Sequence, residues 1–243
     1  MNMNLSMNTK EKRESGFTLL ELLIVVSIIA ILSVALVLVL NPAEALKKSR
    51  DAQRLSDMST MKTALGLYLT STSTPYLGAN AAGALNNTWC KATPSIAPVS
   101  PAKIFYSLPT AVGTISQATL DGASTYAAAQ QSASVAAATV TDGSGWIPVA
   151  FDNLVGGSPL SNLPIDPVNA FGSGHTGAAV DNTDLMYRYA CSVTPLAFEI
   201  DAALESSTYA TGADSKLTSD GGNNSNFYEV GTNLKILGTG NNF

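Results

Sequence analysis

The fold of this chain is decided near its amino terminus by the stretch Gly16-Phe17-Thr18-Leu19-Leu20-Glu21-Leu22-Leu23-Ile24-Val25-Val26. The apolar run continues to Leu40, and Glu21 is the only charged residue between Phe17 and Leu40. A helix of about 20 apolar residues matches the roughly 30 Å hydrocarbon core of a bilayer. The sequence therefore predicts a membrane-spanning helix over residues 17–40.

The single carboxylate in this run needs an explanation of its own. An ionisable side chain inside a bilayer costs roughly 2.5–3.5 kcal/mol on insertion scales, and such residues usually have a function. Two interpretations stay open for Glu21. Its side chain reaches back to the membrane–water interface, because it lies near the start of the segment, or it pairs with a positive group.

Charge is unevenly distributed along the 243 residues, whose net charge is −5. Residues 41–70 carry five basic and three acidic side chains, whereas residues 71–243 carry five basic and twelve acidic ones. The chain thus divides into an apolar anchor, a basic neck and an acidic head. An acidic head lacks the clustered Lys and Arg that nucleic-acid binding requires, although the basic neck leaves that partner undecided.

The helical pattern continues beyond the apolar run, with one interruption. Pro42 predicts a kink or local unwinding there, because proline lacks a backbone donor and clashes with the preceding turn. An amphipathic continuation is predicted over 41–70, ending where Ser71 to Pro75 break the helix. Its apolar stripe is formed by Leu55, Met58, Met61 or Lys62, Leu65 and Leu69. The other faces carry Lys47, Lys48, Arg50, Asp51 and Asp57.

The remainder of the chain predicts a β-sheet head. Residues 71–145 form a variable Ala/Ser/Thr-rich connecting region, in which Lys103–Tyr106 suits a short strand or a helical turn. Residues 146–243 contain β-prone segments, and Thr194-Pro195 connects two of them as a hairpin. These segments are Trp146–Phe151, Met186–Val193, Ala197–Asp201, Tyr228–Val230 and Leu234–Leu237. We expect an α+β fold in which the long helix packs its stripe on an antiparallel sheet.

Two cysteines, Cys90 and Cys191, lie well beyond the apolar segment. They form no CxxC pair, and the single histidine adds few further ligands for a metal site. A disulfide in an oxidising compartment is one interpretation, and it would close a loop of about 100 residues worth up to ~4.7 kcal/mol. The alternative is a pair of buried thiols.

The stretch from Gly16 to Val25 resembles the class III signal of type IV prepilins and the related pseudopilins. The resemblance implies that a prepilin peptidase/methyltransferase cleaves between Gly16 and Phe17 and N-methylates Phe17, which makes residues 1–16 a leader peptide. It also implies that Glu21 pairs with the terminal amine of a neighbouring subunit during assembly. The apolar helix would then lie in a membrane first and in a filament core later.

This resemblance favours a structural subunit of a type IV pilus with a type IV pilin-like fold. Such a subunit resides in the cytoplasmic membrane with an external carboxyl-terminal head, contacts an assembly platform and related subunits, and ends in a surface filament for adhesion, twitching motility or DNA uptake. The first alternative is a pseudopilin of a type II secretion system. The second is a single-pass, surface-anchored binding protein that does not polymerise.

The head contains a second, shorter resemblance. Residues 163–169, Leu-Pro-Ile-Asp-Pro-Val-Asn, followed by Tyr187-Arg188-Tyr189, are similar to a head pattern of major pseudopilins and some pilins. Major pseudopilins have a calcium site in their last loop, and hard oxygen ligands on a glycine turn suit Ca²⁺. The candidate ligands here are Asp214, Asp220 and Asn223, with a solvated turn as the alternative interpretation.

Catalytic motifs are not found in this sequence. It has no GxSxG, P-loop or HExxH pattern. Its single histidine, His175, lies in a glycine-rich stretch that is typical of a loop. We therefore expect a protein without enzymatic activity.

Overall fold

The structure is a computed structural model that describes residues 16–78, 86–93, 102–115, 128–175 and 180–238. Of the predicted leader, only Gly16 lies within this part, and much of the Ala/Ser/Thr-rich region lies outside it. The chain divides into two compact units, one up to Ala43 and one from Glu44 onward. The α+β class expected from the sequence is confirmed.

Two helices occupy the first part of the chain, α1 (Leu19–Leu40) and α2 (Pro42–Ser71). The helical run is interrupted at Asn41, which has φ 39° and ψ 71° in the left-handed region. A residue before proline is disfavoured in the α region, and asparagine tolerates the left-handed region better than most residues. Pro42 then opens α2, where its missing N–H costs nothing. The interruption predicted from Asn41-Pro42 is present, and Asn41 is the non-helical residue.

The sheet has five strands in the order β2-β1-β3-β4-β5. They are β1 (Lys103–Tyr106), β2 (Ala128–Gln131), β3 (Tyr187–Val193), β4 (Leu196–Ala202) and β5 (Tyr228–Gly231). The hairpin predicted around Thr194-Pro195 is confirmed by the antiparallel pairing of β3 with β4. The short elements are the helices α3 (Val135–Ala138) and α4 (Ser207–Ala210) and a 3₁₀ turn over Phe151–Asn153.

The sheet is mixed and not purely antiparallel, which corrects the sequence prediction. Strands β1 and β2 pair in parallel, whereas the other three pairs are antiparallel. A hairpin forces antiparallel pairing only on neighbouring strands joined by a short turn. The connection from Tyr106 to Ala128 is long enough for a crossover. Both strands come from the region expected to be a variable connection.

Two further strand predictions are wrong. The Trp146–Phe151 segment makes a single bridge, between Asp142 and Ala150, and leads into the 3₁₀ turn. Its apolar side chains are buried in the core, and Pro148 has no N–H for a strand ladder. The segment from Leu234 to Leu237 is a turn, because the amides of Ile236 and Leu237 donate to the Glu199 carboxylate at 2.7 Å and not to a strand.

The core lies on both faces of the sheet. On one face, α2 packs its buried side chains against β3 and β4 in a cluster that includes Met58, Met61, Leu65, Tyr68, Tyr187, Tyr189, Phe198 and Ile200. The predicted stripe is thus largely confirmed, with Met61 buried and Lys62 exposed. The opposite face is covered by a second cluster that includes Ile104, Tyr106, Phe227, Ile236 and Leu237.

One charged group of α2 lies in an unexpected place. Asp51 was assigned to an outer face, yet Asp51 and Arg54 are both fully buried. Arg54 donates to Asp51 at 2.7 Å, to both oxygens of Asp166 at 2.6 and 2.9 Å, and to Glu205 at 2.7 Å. Asp51 also accepts from the Ser206 amide at 2.7 Å. The periodicity of apolar residues could not show this, because a buried charge satisfied by partners distant in sequence leaves no apolar signal.

Candidate functional site at the amino-terminal helix

Gly16 and Phe17 are exposed and lie just before the start of α1. Phe17 has 84% of its surface exposed. A Cβ added to Gly16 would meet no atom within 4 Å, and its φ does not lie in the left-handed region. Neither space nor backbone conformation therefore requires a glycine at this position.

Glu21 belongs to a capping box that begins α1. The Thr18 hydroxyl oxygen accepts from the Glu21 amide at 3.2 Å. In return, Glu21 Oε2 accepts from the Thr18 amide at 2.9 Å and from the Thr18 hydroxyl at 2.8 Å. Because the first amides of a helix have no intrahelical acceptor, this exchange satisfies two of them and places the carboxylate at the positive end of the helix dipole.

The sequence reasoning missed this capping box, although its signal was present. A Thr followed three residues later by Glu, just before an apolar run, is the known signature. Within the described residues, all hydrogen bonds of the Glu21 carboxylate go to Thr18. The carboxylate is therefore held close to the point where a new amino terminus would arise.

The surface of α1 is apolar and unpacked along its whole length. None of its 22 residues is buried. The two serine hydroxyls within it donate to carbonyls of their own helix, Ser27 to Ile24 and Ser33 to Ile29, both at 2.7 Å. A polar side chain satisfied inside its own helix needs no water, as an apolar environment requires. Among the described residues, the helical span Leu19–Ser71 contains a window long and apolar enough to cross a membrane.

The comparison with family models identifies this site. Residues 12–37 match the prokaryotic N-terminal methylation motif. The chain carries the class III signal of type IV pilins and pseudopilins. This match confirms the resemblance found at Gly16, Phe17 and Glu21 and ends inside α1. No curated protein and no solved structure matches the chain, so the head is interpreted from its own geometry.

The predicted disulfide is present between Cys90 and Cys191. It joins the short segment before β1 to the middle of β3. Beside it, the Lys91 amide donates to the Cys191 carbonyl and the Val193 amide donates to the Lys91 carbonyl, both at 2.8 Å. The bond therefore ties a loop to the central strands of the sheet across a sequence separation of 101 residues.

Two of the three candidate calcium ligands, Asp220 and Asn223, make hydrogen bonds within the chain. Asp220 accepts from the Gly222 amide at 2.9 Å and from the Glu229 amide at 2.8 Å, so both oxygens hold the turn before β5. The Asn223 amide, correctly oriented, donates to Leu234 and Glu229. Asp214 is exposed. These contacts give Asp220 and Asn223 a role in the turn itself, and calcium binding there stays a prediction.

In the described residues, one histidine and two carboxylates lie close together elsewhere in the head. His175 Nδ1 lies 3.0 Å from Asp184, and its Nε2 lies 3.5 Å from Asp181. The hydrogen bond to Asp184 raises the pKa of His175, which favours the doubly protonated ring. Each ring nitrogen faces its own carboxylate, so the three side chains link two loop segments, and their ligand atoms lie within 4.8 Å of one another.

Proposed function

We propose that this chain is the structural subunit of a type IV pilus, which polymerises through its amino-terminal helix into a surface filament. The observation that carries the proposal is α1 itself. It begins with the class III signal, exposes every apolar side chain and contains one carboxylate. A helix of this kind needs a lipid or protein environment, and successive copies of α1 supply one in a filament core.

Processing prepares the helix for assembly. In this proposal, the prepilin peptidase/methyltransferase cleaves the chain after Gly16 in the cytoplasmic membrane and methylates the amine of Phe17. The exposure of both residues supports access by the enzyme. The open space around Gly16 supports a requirement set by the enzyme and not by the fold.

Docking follows from the new charge. Cleavage creates a positive amine four residues before Glu21, and the capping box holds that carboxylate at the same end of α1. A neighbouring subunit's amine offsets the cost of the buried carboxylate, so a subunit in the wrong register is penalised. A head-to-tail contact of this type does not close on itself and generates an open helical filament.

The head is built to remain folded outside the cell. The disulfide suits an oxidising compartment, and the Arg54 ion pairs fix α2 to the loops that carry Asp166 and Glu205. The proposed locations are therefore the inner membrane, with the head outside, and then the filament. The partners are identical or related subunits and the assembly platform. Adhesion, twitching motility and DNA uptake are the proposed outputs.

A pseudopilin of a type II secretion system is the second candidate. The observation in its favour is the similarity of residues 163–169 to a head pattern of major pseudopilins and some pilins. Major pseudopilins also have a calcium site in their last loop, where this chain has its candidate ligands. In the structure, the aspartate of that segment is the bidentate partner of Arg54. A calcium titration that raises the melting temperature would strengthen this candidate.

The intact mass of the mature protein tests the proposal. We expect the loss of residues 1–16 and the gain of one methyl group. Gly16→Val should block this change, whereas Gly66→Val is a matched control because an added Cβ at Gly66 also meets nothing within 4 Å. A mature mass that retains the leader would reject both candidates and favour an anchored binding protein.

Filament formation is tested separately. Glu21→Ala should leave membrane insertion intact, since it removes a charge from an apolar segment, and should reduce the yield of sheared filaments in electron micrographs. Long surface filaments would favour the pilus, and their absence at natural expression would favour the pseudopilin. A wild-type filament yield in the Glu21→Ala variant would contradict the docking role.

A further inference from the structure

The head contains a small pocket that the proposed function does not use. Its volume is about 180 Å³. At ~30 Å³ per water molecule, this space holds about six waters or one ring-sized group, and it is below the roughly 300 Å³ of sites for larger ligands. Its lining contains the aromatic residues Trp89, Phe105 and Trp146 and the polar residues Gln130, Ser132 and Ser144. We propose that this pocket binds one neutral sugar ring.

The aromatic part of the lining includes both tryptophans of the chain. Trp146 is buried, and its indole N–H donates to the Pro164 carbonyl at 2.8 Å. The polar atom of this ring is therefore satisfied away from the pocket. Trp89 is half-buried, with its ring centroid 6.0 Å from that of Phe105. The pocket thus combines a carbon-lined floor with an accessible aromatic side chain at its edge.

The polar part of the lining offers free hydrogen-bonding groups. The carboxamide oxygen of Gln130 accepts from Lys103 at 3.0 Å, whereas its nitrogen makes one long contact of 3.5 Å within the described part of the chain, to the Gln131 carbonyl. The Ser132 hydroxyl makes no hydrogen bond to any described residue. An amide nitrogen and a hydroxyl are therefore available to a ligand.

Hydrogen bonds and a glycine turn hold the walls of the pocket. Gln131 is fixed on one side, because its amide bonds to the Leu108 and Gly113 carbonyls at 2.8 and 2.9 Å and to the Ile115 amide at 2.7 Å. On the other side, Gly143 has φ +94°, which glycine adopts without strain. A preformed site loses little conformational entropy when a ligand binds.

The neighbouring backbone fixes the second wall further. The Asp142 carboxylate accepts from the Ser144 amide at 2.9 Å and from its hydroxyl at 2.6 Å. A Cβ on Gly145 would lie 2.2 Å from the Val140 carbonyl oxygen, so only glycine fits there. Small residues in this turn leave the pocket open beside the tryptophans.

A neutral sugar fits this combination of groups better than other small ligands. Its C–H faces pack on aromatic rings, and its hydroxyls at the ring edge accept from an amide nitrogen and exchange hydrogen bonds with a serine. A purely apolar ring would leave the Gln130 nitrogen and the Ser132 hydroxyl unpaired, which costs binding energy. None of the lining residues is charged, and the nearby Lys103 ammonium lies 3.7 Å from the Trp89 ring centroid.

The proposal concerns a single subunit and does not depend on polymerisation. It is tested with the full chain in a zwitterionic detergent, because glycoside detergents would themselves present sugars. The probes are methyl β-D-glucoside, methyl β-D-galactoside, methyl α-D-mannoside and N-acetylglucosamine. Because both tryptophans line the pocket, their fluorescence reports binding. We expect a saturable change with at least one probe and a dissociation constant on the order of 1 mM, as a one-ring ligand allows.

Variants separate the contacts. Trp89→Ala should weaken binding at least about tenfold, with Trp146 as the remaining reporter, whereas Trp89→Phe retains a ring and should weaken it less. Ser132→Ala should weaken it about 3- to 10-fold through one lost hydrogen bond. Ser161→Ala, an exposed serine outside the lining, is the matched control and should bind as wild type. An intact disulfide in each variant, checked by non-reducing mass spectrometry, verifies the fold.

Several outcomes would overturn the proposal. They are the absence of a saturable signal with every sugar, a signal that neither Trp89→Ala nor Ser132→Ala alters, or saturation by indole without saturation by sugars. A fluorescence change on dilution of the protein alone would assign the pocket to a second copy of the chain. Binding of methyl β-D-glucuronide at least about tenfold tighter than the glucoside would replace the neutral ligand by an acidic one held by Lys103.

Discussion

The two long helices of this chain differ in which side chains they bury. In α1, almost every side chain is apolar and none is buried. In α2, the buried side chains include Asp51 and Arg54 beside Met58 and Met61. The helices α1 and α2 belong largely to different compact units, and the contrast concerns the contacts that each helix makes within its own unit. Hydropathy alone does not decide burial, because burial also needs a partner surface.

This difference separates the two tasks proposed for the chain. The helix α2 already has its partners, in the sheet and in the loops around Asp166 and Glu205. Among the described residues, α1 has no packed partner, and its apolar surface suits lipid or other copies of itself. Substitutions in α2 and the head should therefore change stability, whereas substitutions in α1 should change assembly.

The largest expected effect concerns the disulfide of the head. Replacement of Cys90 and Cys191 by alanine opens a loop of 101 residues. The chain-entropy model predicts a loss of up to ~4.7 kcal/mol in the free energy of unfolding. Urea unfolding of the full chain in detergent, followed by tryptophan fluorescence, measures it. An unchanged midpoint would mean that the other contacts of Lys91 and Val193 hold this loop by themselves.

The next effect tests the buried charge of α2. Arg54→Met leaves Asp51 and Asp166 without their cation, and we expect a loss of about 3–5 kcal/mol, since an uncompensated buried charge is costly. Arg50→Met is the matched control on the same helix. The Arg50 side chain is 32% exposed and its loss should cost about 1 kcal/mol or less. Equal destabilisation by both variants, measured by urea unfolding, would contradict the special position of Arg54.

A smaller effect depends on pH. Burial, followed by the hydrogen bond and repulsion of Glu229, raises the pKa of Glu199 well above its ordinary value. Its Oε1 has no N–H donor among the described residues, which suits a proton shared with Glu229. A group with a raised folded pKa stabilises the fold at low pH, and that stability is lost as pH rises from the unfolded pKa through the folded one.

Glu199→Gln should therefore make the unfolding free energy less dependent on pH above about pH 4.3, by at most ~1.4 kcal/mol per pH unit. A residual slope of the same sign should remain, because burial also raises the pKa of Asp201 to about 7. Glu44→Gln is the control, since the pKa of Glu44 is lowered and not raised. Identical pH slopes in wild type and Glu199→Gln would show that Glu199 is ionised in the folded chain.

The smallest effect on stability should come from α1. Ile31 is 71% exposed, so Ile31→Ala should change the unfolding free energy of the head by about 0.5 kcal/mol or less. The same substitution should lower filament yield, because it removes apolar surface from the proposed filament core. Leu67→Ala, at a partly exposed leucine of α2, provides the comparison. A marked loss of head stability in Ile31→Ala would break the separation between the two helices.

The amino-terminal site could be predicted from the sequence because its signals are local. The apolar run, Glu21 and the Gly16–Phe17 junction lie within one continuous stretch, and the capping box of Thr18 could have been found in the same way. The hairpin at Thr194-Pro195 was predictable for the same reason. The parallel pairing of β1 with β2 was not, since it joins segments separated by a long connection without a turn signal.

The sequence by itself determined the apolar helix, its signal motif and capping box, and the interruption before Pro42. Each of these depends on neighbouring residues. The disulfide was one of two interpretations until the structure joined Cys90 to Cys191. Only the tertiary structure decided that Arg54 lies between Asp51, Asp166 and Glu205, and that both tryptophans meet in one pocket. The free energy of a buried charge or a ligand pocket depends on partners distant in the chain, and folding alone brings them together.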